Sequence, residues 1–252
     1  KRNFIINASP RIVIFEEEDT LSDLLRRIGL KSVKIGCGAG QCGTCSVLLN
    51  GEVVRSCIIK VKNIKEGSAI ETLEGLGSAE SLHPLQQAFI TYGAVQCGFC
   101  TPGFLMSAKA LLQNNPDPTR AEVRAWFEKH RNICRCTGYK PIVDAVIAAA
   151  AVMRGDAKPE DIIFHYEKGD DIYGSNFPRP SALAKVLGAS EFGEDFSERM
   201  PDGTLHLAIV QAKVHHANII SLDFSEAEKM PGVVKIIKAY AVKGTNRLRL
   251  LP

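Results

Sequence analysis

Eight cysteines carry the most specific chemistry in this chain. Cys37, Cys42, Cys45 and Cys57 read C-x4-C-x2-C-x11-C, Cys97, Cys100, Cys134 and Cys136 read C-x2-C-x33-C-x-C, and none is left over. Three chemistries compete for such quartets. Disulfides need an oxidising compartment, and they staple small scaffolds that carry less apolar core than this chain. Zinc takes four thiolates from paired C-x2–4-C knuckles. The second quartet could pass as such a site, but the first crowds three sulfurs onto one short loop. An iron–sulfur core wants that crowding, because C-x4-C-x2-C with a distant fourth cysteine is the plant-type [2Fe–2S] spacing. The spacing therefore favours two [2Fe–2S] clusters. In the loop Gly36-Cys37-Gly38-Ala39-Gly40-Gln41-Cys42-Gly43-Thr44-Cys45, four glycines let the backbone wrap an inorganic core and aim N–H groups at its sulfurs, which favours the reduced state.

The elements that must position these sulfurs follow from periodicity and capping. Residues 1–75 read as a small α+β unit. Phe4–Ile6 and Ile12–Phe15 are strand-like. Thr20 with Asp23 can cap a helix whose apolar face is Leu21, Leu24, Leu25 and Ile28. Asn50-Gly51 between two apolar runs signals a hairpin that returns Cys57 to the loop. The expected fold is a β-grasp ferredoxin domain. Residues 76–155 read as four short helices. Pro84 opens the first, Thr101-Pro102 the second as N-cap and N1, the capping box Thr119/Glu122 the third and Pro141 the fourth. Cys97 and Cys100 precede the second helix, and Cys134 and Cys136 follow the third. Antiparallel packing of those two helices brings both pairs to one end of the bundle.

Residues 156–180, with Lys158-Pro159-Glu160, Gly169-Asp170-Asp171 and Pro178-Arg179-Pro180, read as a linker. Residues 181–252 begin another unit, with strands expected at 205–210, 219–222 and 233–237 and a short helix at 225–230. The fold class is thus α+β and multidomain, ending in an incomplete α/β segment.

Composition narrows the function. Of 252 residues 45% are hydrophobic, which suits packed cores rather than wholesale disorder. The longest uncharged apolar run, Ala145–Met153, is far short of a membrane span. No basic stripe with interleaved aromatics points to nucleic acid. The formal charge of +3 counts thiols as neutral. An oxidised core with four thiolates carries about −2, so two of them bring the chain to about −1. His215 and His216 are adjacent, so in a strand they point to opposite faces and do not share a metal. His83 and His130 read as helix-end residues, Trp126 as core, and Glu16–Asp19 as a solvated turn that could help select an acceptor protein. No nucleophile elbow or HExxH motif occurs.

These motifs together resemble one family. GCGAGQCGTCSV with Cys57 after a hairpin is similar to the N-terminal [2Fe–2S] domain of the molybdenum hydroxylases (the xanthine oxidase family). QCGFCTPGFLMSAKALL and NICRCTGYKPIVDAV resemble their helical [2Fe–2S] domain. LAKVLGASEFGEDF, LHLAIVQAKVHHANI and MPGVVKIIKA resemble the hammerhead-like opening of their molybdenum-cofactor domain, at 181–246. A short linker, with no flavin domain, joins the helical part to that opening. This order resembles the FAD-lacking bacterial aldehyde oxidoreductases. The resemblance implies that Cys37, Cys42, Cys45 and Cys57 hold an outer cluster, and that Cys97, Cys100, Cys134 and Cys136 hold an inner one. It implies that Gln96 and Cys136 approach a molybdopterin in its cytosine dinucleotide form, held mainly by residues outside this chain. No catalytic residue falls within 1–252. The reading is electron transfer from the molybdenum site, which oxidises an aldehyde with water, to an external acceptor such as ferredoxin or flavodoxin. A purine or N-heterocycle hydroxylase and a stand-alone ferredoxin-like carrier are the rivals. The implied partners are the rest of the molybdenum domain, as continuation or separate subunit, and further copies in an oligomer. The expected location is the cytoplasm, with no membrane attachment.

Overall fold

Two tight hairpins build the sheet. Strands β1 (Arg2–Ile6) and β2 (Ser9–Val13) pair antiparallel with Ile6 opposite Ser9, around Asn7 and Ala8 at φ 48° and 62°. Strands β3 (Ser46–Leu49) and β4 (Glu52–Arg55) pair around Asn50 and Gly51 at φ 52° and 85°. Both turns have the paired positive φ of a type I′ hairpin. A short strand β5 (Ala69–Glu71) joins the hairpins, parallel to β1 and antiparallel to β3, giving the order β2-β1-β5-β3-β4. The computed structural model describes residues 1–166, 172–197 and 199–244, and divides into units 1–198 and 199–252.

Helix α1 (Leu21–Arg27) starts at the expected capping box. The Asp23 N–H donates to Thr20 Oγ1 (3.2 Å) and the Thr20 N–H to Asp23 Oδ2 (3.0 Å). Its Leu21, Leu24 and Leu25 pack with Phe4, Val47 and Ile70 of the sheet. Leu48, one residue on, points to the other face and joins the helical core. The period-two alternation of β3 thus ties the sheet to both halves of the unit.

The helical part holds α2 (Pro84–Thr91), α3 (Thr101–Asn114), α4 (Arg120–Lys129) and α5 (Tyr139–Arg154). Its core includes Phe89, Phe104, Leu105, Val123, Phe127 and Val146. Trp126 is half-buried and donates to the Ser107 carbonyl at 2.9 Å, linking α4 to α3 as a packing residue. His83 caps α2. Its Nδ1 accepts the Leu85 N–H (3.2 Å), while Gln86 Oε1 accepts the His83 N–H (2.9 Å). Burial, aided by the Lys109 charge, lowers the His83 pKa to about 4. Below the unfolded value of about 6.5 the unfolded chain binds a proton that the folded chain refuses. Stability is therefore expected to fall as pH drops from about 6.5 toward 4. His83→Asn, which keeps a capping acceptor, should flatten that limb in pH-dependent denaturation.

Several expected boundaries are corrected. The second strand is Ser9–Val13, not Ile12–Phe15, because the turn at Asn7-Ala8 starts it early. Helix α3 is capped by Cys100, not Thr101: the cysteine turn is already helical at Cys100, whose carbonyl accepts the Phe104 N–H at 3.1 Å. Helix α5 starts at Tyr139, two residues before Pro141, which sits in the first turn where no N–H is needed. After α5 a 3-10 turn, Pro159–Ile162, buries Ile162 in the helical core. Gly169, Asp170 and Asp171 of the expected linker lie outside the described residues, as do residues 245–252.

Helices α6 (Ala182–Val186) and α7 (Gly193–Ser197) close the first unit. Ala182 and Val186 enter the helical core, and Gln86 Nε2 donates to the Val186 carbonyl at 2.9 Å. In the second unit the strands expected at 205–210, 219–222 and 233–237 are not formed, and only a 3-10 turn, Ala227–Lys229, lies within the expected helix. A strand needs a paired edge, and Val210 and Ile220 are 99% and 97% exposed.

Candidate iron–sulfur centres

The first cysteine loop lies between α1 and β3. Cys45 is buried where the loop enters β3, and Cys57 is buried in the 3-10 turn Ser56–Ile58 that follows β4. The hairpin returns Cys57 as the sequence predicts. The Ser56 N–H and Oγ both donate to the Cys45 carbonyl (3.3 and 2.8 Å), and the Cys57 N–H donates to the Cys45 sulfur. Cys42 is half-buried and Cys37 exposed. The Cys37 sulfur accepts the Ala39 and Gln41 N–H groups at 3.4 and 3.2 Å.

The second quartet comes from two loops. Cys97 and Cys100 lie between α2 and α3, and Cys134 and Cys136 between α4 and α5. Cys97 and Cys136 share a thiol hydrogen bond, as do Cys100 and Cys134. The Gly138 N–H donates to the Cys134 sulfur at 3.4 Å. The structure thus links the four cysteines of the second loop pair to one another, and joins those of the first as Cys37 with Cys42 and Cys45 with Cys57.

Cys37 pairs with Cys42, Cys45 with Cys57, Cys97 with Cys136 and Cys100 with Cys134, and Cys134 also meets Cys136. That pairing suits a di-iron core, which takes two thiolates on each iron. Among the described residues no three His, Cys, Asp or Glu side chains form a mononuclear metal site, and none of the eight cysteines forms a disulfide.

The electrostatics divide each quartet. Burial raises the Cys37 pKa, but the Ala39 and Gln41 N–H groups, with Cys42, outweigh it and hold the thiol at about 7. Burial pushes Cys45 up to about 12, and pushes Cys100 up as well. Cys136 is lowered, chiefly because the Cys97 N–H donates to it. Thiols this buried ionise only against a compensating charge, which two ferric ions would provide. The donor types, their pairing and the N–H groups aimed at sulfur therefore fit the cluster.

The two loops touch through backbone. The Ile133 N–H donates to the Cys42 carbonyl at 3.0 Å, and Ile133 precedes Cys134 in the chain. One hydrogen bond thus connects a cysteine of the first quartet to the residue that precedes a cysteine of the second. Asn132 Nδ2 donates to the Gly43 carbonyl (3.1 Å), and the Arg131 guanidinium donates to Gln41 Oε1. A Cβ on Gly103 would stand 2.4 Å from the Gly43 carbonyl oxygen, so the first turn of α3 presses directly on the first loop. Sequence reasoning missed Gly103, Asn132 and Ile133. The only signal was that each lies within three residues of a cysteine.

Gln96 is half-buried beside the second quartet. A Cβ on Gly138 would stand 3.1 Å from Gln96 Nε2 and 3.8 Å from the Cys134 sulfur.

Comparison with known proteins gives these loops a family. Residues 4–73 match the 2Fe-2S iron-sulfur cluster binding domain, and residues 72–147 match the [2Fe-2S] binding domain. The nicotinate dehydrogenase small FeS subunit of Eubacterium barkeri is 46% identical over 145 residues, which are 57% of this chain and 90% of that protein. The aldehyde oxidoreductase of Megalodesulfovibrio gigas is 53% identical over 244 residues, or 96% of this chain and 27% of that protein. The chain belongs to the molybdenum hydroxylase (xanthine oxidase) family. The crystal structure of the aldehyde oxidoreductase from Desulfovibrio desulfuricans ATCC 27774 superposes with a TM-score of 0.86 at 56% identity, covering 98% of this chain and 27% of that one. This molybdenum hydroxylase chain thus spans about a quarter of the length of the aldehyde oxidoreductases it matches. It carries two [2Fe–2S]-binding domains, and among the described residues no helix is long and apolar enough to cross a membrane.

Proposed function

We propose that this chain is the electron-transfer portion of a molybdopterin-dependent aldehyde oxidoreductase. The observation that carries the aldehyde reading is the reach of the likeness. It runs across 96% of the chain for the aldehyde oxidoreductase, and across 57% for the small subunit of nicotinate dehydrogenase. On this reading residues 1–75 are a β-grasp ferredoxin domain, 76–155 a four-helix cluster domain, 156–180 a linker, and 181–252 the opening of the molybdenum-cofactor domain. When bound, molybdopterin would supply the two-electron oxidation of an aldehyde to a carboxylic acid, with water as the source of the oxygen and the electrons passing to molybdenum, and each [2Fe–2S] cluster would relay one electron at a time.

The residues divide that task. Cys97, Cys100, Cys134 and Cys136 would hold the inner cluster and Cys37, Cys42, Cys45 and Cys57 the outer one. The Gln96 amide, able both to donate and to accept, suits a pterin edge beside Cys136. The Ile133–Cys42 hydrogen bond offers a short through-bond route between the quartets. Gly43 and Gly103 let the two loops approach backbone to backbone beside that contact. Cys37, exposed, faces an external acceptor such as ferredoxin or flavodoxin. The proposed cofactor form is the cytosine dinucleotide, the proposed partner is the remainder of the molybdenum domain, the assembly is an oligomer and the setting is the cytoplasm.

Anaerobic addition of substrates to the purified protein tests this reading. Aldehydes should bleach the visible absorbance and develop both reduced-cluster EPR signals, while nicotinate and purines leave them unchanged. Reduction by a heterocycle and not by any aldehyde would instead make the protein an N-heterocycle hydroxylase. Absence of molybdenum and pterin from the native assembly would make it a carrier.

A further inference from the structure

Lys185 lies on α6, well removed in sequence from either quartet, yet it reaches the inner cysteine loop. Its Nζ donates to the Gln96 carbonyl at 2.8 Å, the carbonyl bonded to the backbone nitrogen of Cys97. Its stem roofs Gly98, where a Cβ would meet Lys185 Cδ at 2.5 Å and Cγ at 2.6 Å. Gly98 is buried at φ 89°, so the loop uses the conformation and the space that only glycine provides there. Helix α6 is itself fixed, because Ala182 and Val186 are 2% and 0% exposed and Gln86 holds the Val186 carbonyl. The ammonium is therefore held against one side of the second quartet. Its two contacts flank Cys97, which is exposed, whereas Cys134 is buried.

We propose that Lys185 is a positioning residue that shapes the Gln96–Cys97–Gly98 backbone and, through its charge, raises the reduction potential of the inner cluster. The inference rests on the electron-transfer reading above and adds to it a residue outside both cluster-binding matches, which end at residue 147. The sign follows from charge. Taking up one electron changes the core with its four thiolates from about −2 to about −3, and a fixed cation favours the more negative state. A raised potential draws electrons toward the inner cluster. The same ammonium, bonded to the Gln96 carbonyl, helps hold the residue proposed to face the pterin.

Potentiometric EPR titration of the purified protein tests the assignment, with the outer-cluster signal as internal reference. Lys185→Gln keeps a donor for the Gln96 carbonyl without the charge, Lys185→Met keeps only the stem, and Lys185→Arg keeps the charge. At a fixed potential the reduced fraction of the inner cluster should fall about tenfold relative to the oxidised fraction in Lys185→Gln, equivalent to about 59 mV for one electron. Lys185→Arg should stay near the parent value, and the outer cluster should not move in either. An inner potential unmoved in Lys185→Gln overturns the proposal, whether or not Lys185→Met assembles its inner cluster. An equal displacement in Lys185→Arg and Lys185→Gln also overturns it, by making the effect one of shape alone. Either result, with four irons still present, leaves the electron-transfer reading intact. Parent protein lacking iron would sink that reading instead.

Discussion

Gly43→Ala is expected to separate the two cluster loops and lower stability by roughly 3–4 kcal/mol. Two costs combine. Gly43 has φ 63°, a left-handed conformation that costs an alanine about 1–2 kcal/mol. Its new Cβ would also stand 2.7 Å from the Arg131 carbonyl oxygen and 2.9 Å from Asn132 Cα, both backbone atoms that cannot rotate aside. The displaced segment is the one whose Ile133 N–H reaches the Cys42 carbonyl. Chemical denaturation reads the stability. The weakening of spin–spin coupling between the two reduced-cluster EPR signals reads the separation. Gly38→Ala is the matched control: φ is 61°, but no atom lies within 4 Å of the added Cβ, so only the conformational cost of about 1–2 kcal/mol applies. Equal effects of the two substitutions would show that the close approach at Gly43 is not what joins the loops.

Asp195→Asn should cost about 3–5 kcal/mol, the range for breaking a buried ion pair by removing one partner. The Asp195 carboxylate accepts from Arg26 Nη2 and Lys34 Nζ, both at 2.8 Å, and from the Phe192 N–H at 2.9 Å. Arg26 and Lys34 are 5% and 2% exposed, so the amide would leave two buried cations facing a neutral group. The triad clamps α7 onto the sheet half of the unit, and the clamp continues through rings. Lys34 Nζ lies 5.0 Å from the Phe192 centroid, and Phe192 meets Phe99 of the second cysteine loop edge-on at 5.1 Å. Burial opposes ionisation of Asp195, but Lys34, the Phe192 N–H and Arg26 together hold its pKa at about 2. Its contribution to stability is therefore complete above the ordinary carboxylate value and lost as pH falls through about 2. Denaturation midpoints of the parent and Asp195→Asn proteins should differ widely at neutral pH and converge in acid. A midpoint difference unchanged down to that acid limit would contradict the ionic account.

What the sequence revealed was local. The cysteine quartets were legible because their chemistry is written in spacings of a few residues. The capping boxes at Thr20/Asp23 and Thr119/Glu122, and the Asn50-Gly51 turn, were legible for the same reason. Strand β5 was not: three residues carry no periodicity, and its place is decided by pairing with β1 and β3 far away in the chain. The Asn7-Ala8 turn was hidden because alanine at positive φ gives no turn signal. Asp195 looked like one more acidic residue in a polar run, since its partners Arg26 and Lys34 precede it by more than 160 positions. The apolar runs at 205–210 and 219–222 carry a strand pattern with no partner edge among the described residues of the second unit, so the pattern alone could not specify a strand there.

The central claim is that each quartet of thiolates grips a di-iron core. Combined iron, acid-labile sulfide and EPR analysis of the purified protein, after anaerobic reconstitution, tests it most directly. The account predicts about four irons and four sulfides per chain, with two distinct one-electron signals on reduction. Colourless protein that binds zinc and no iron, or a single signal with about two irons, would contradict it.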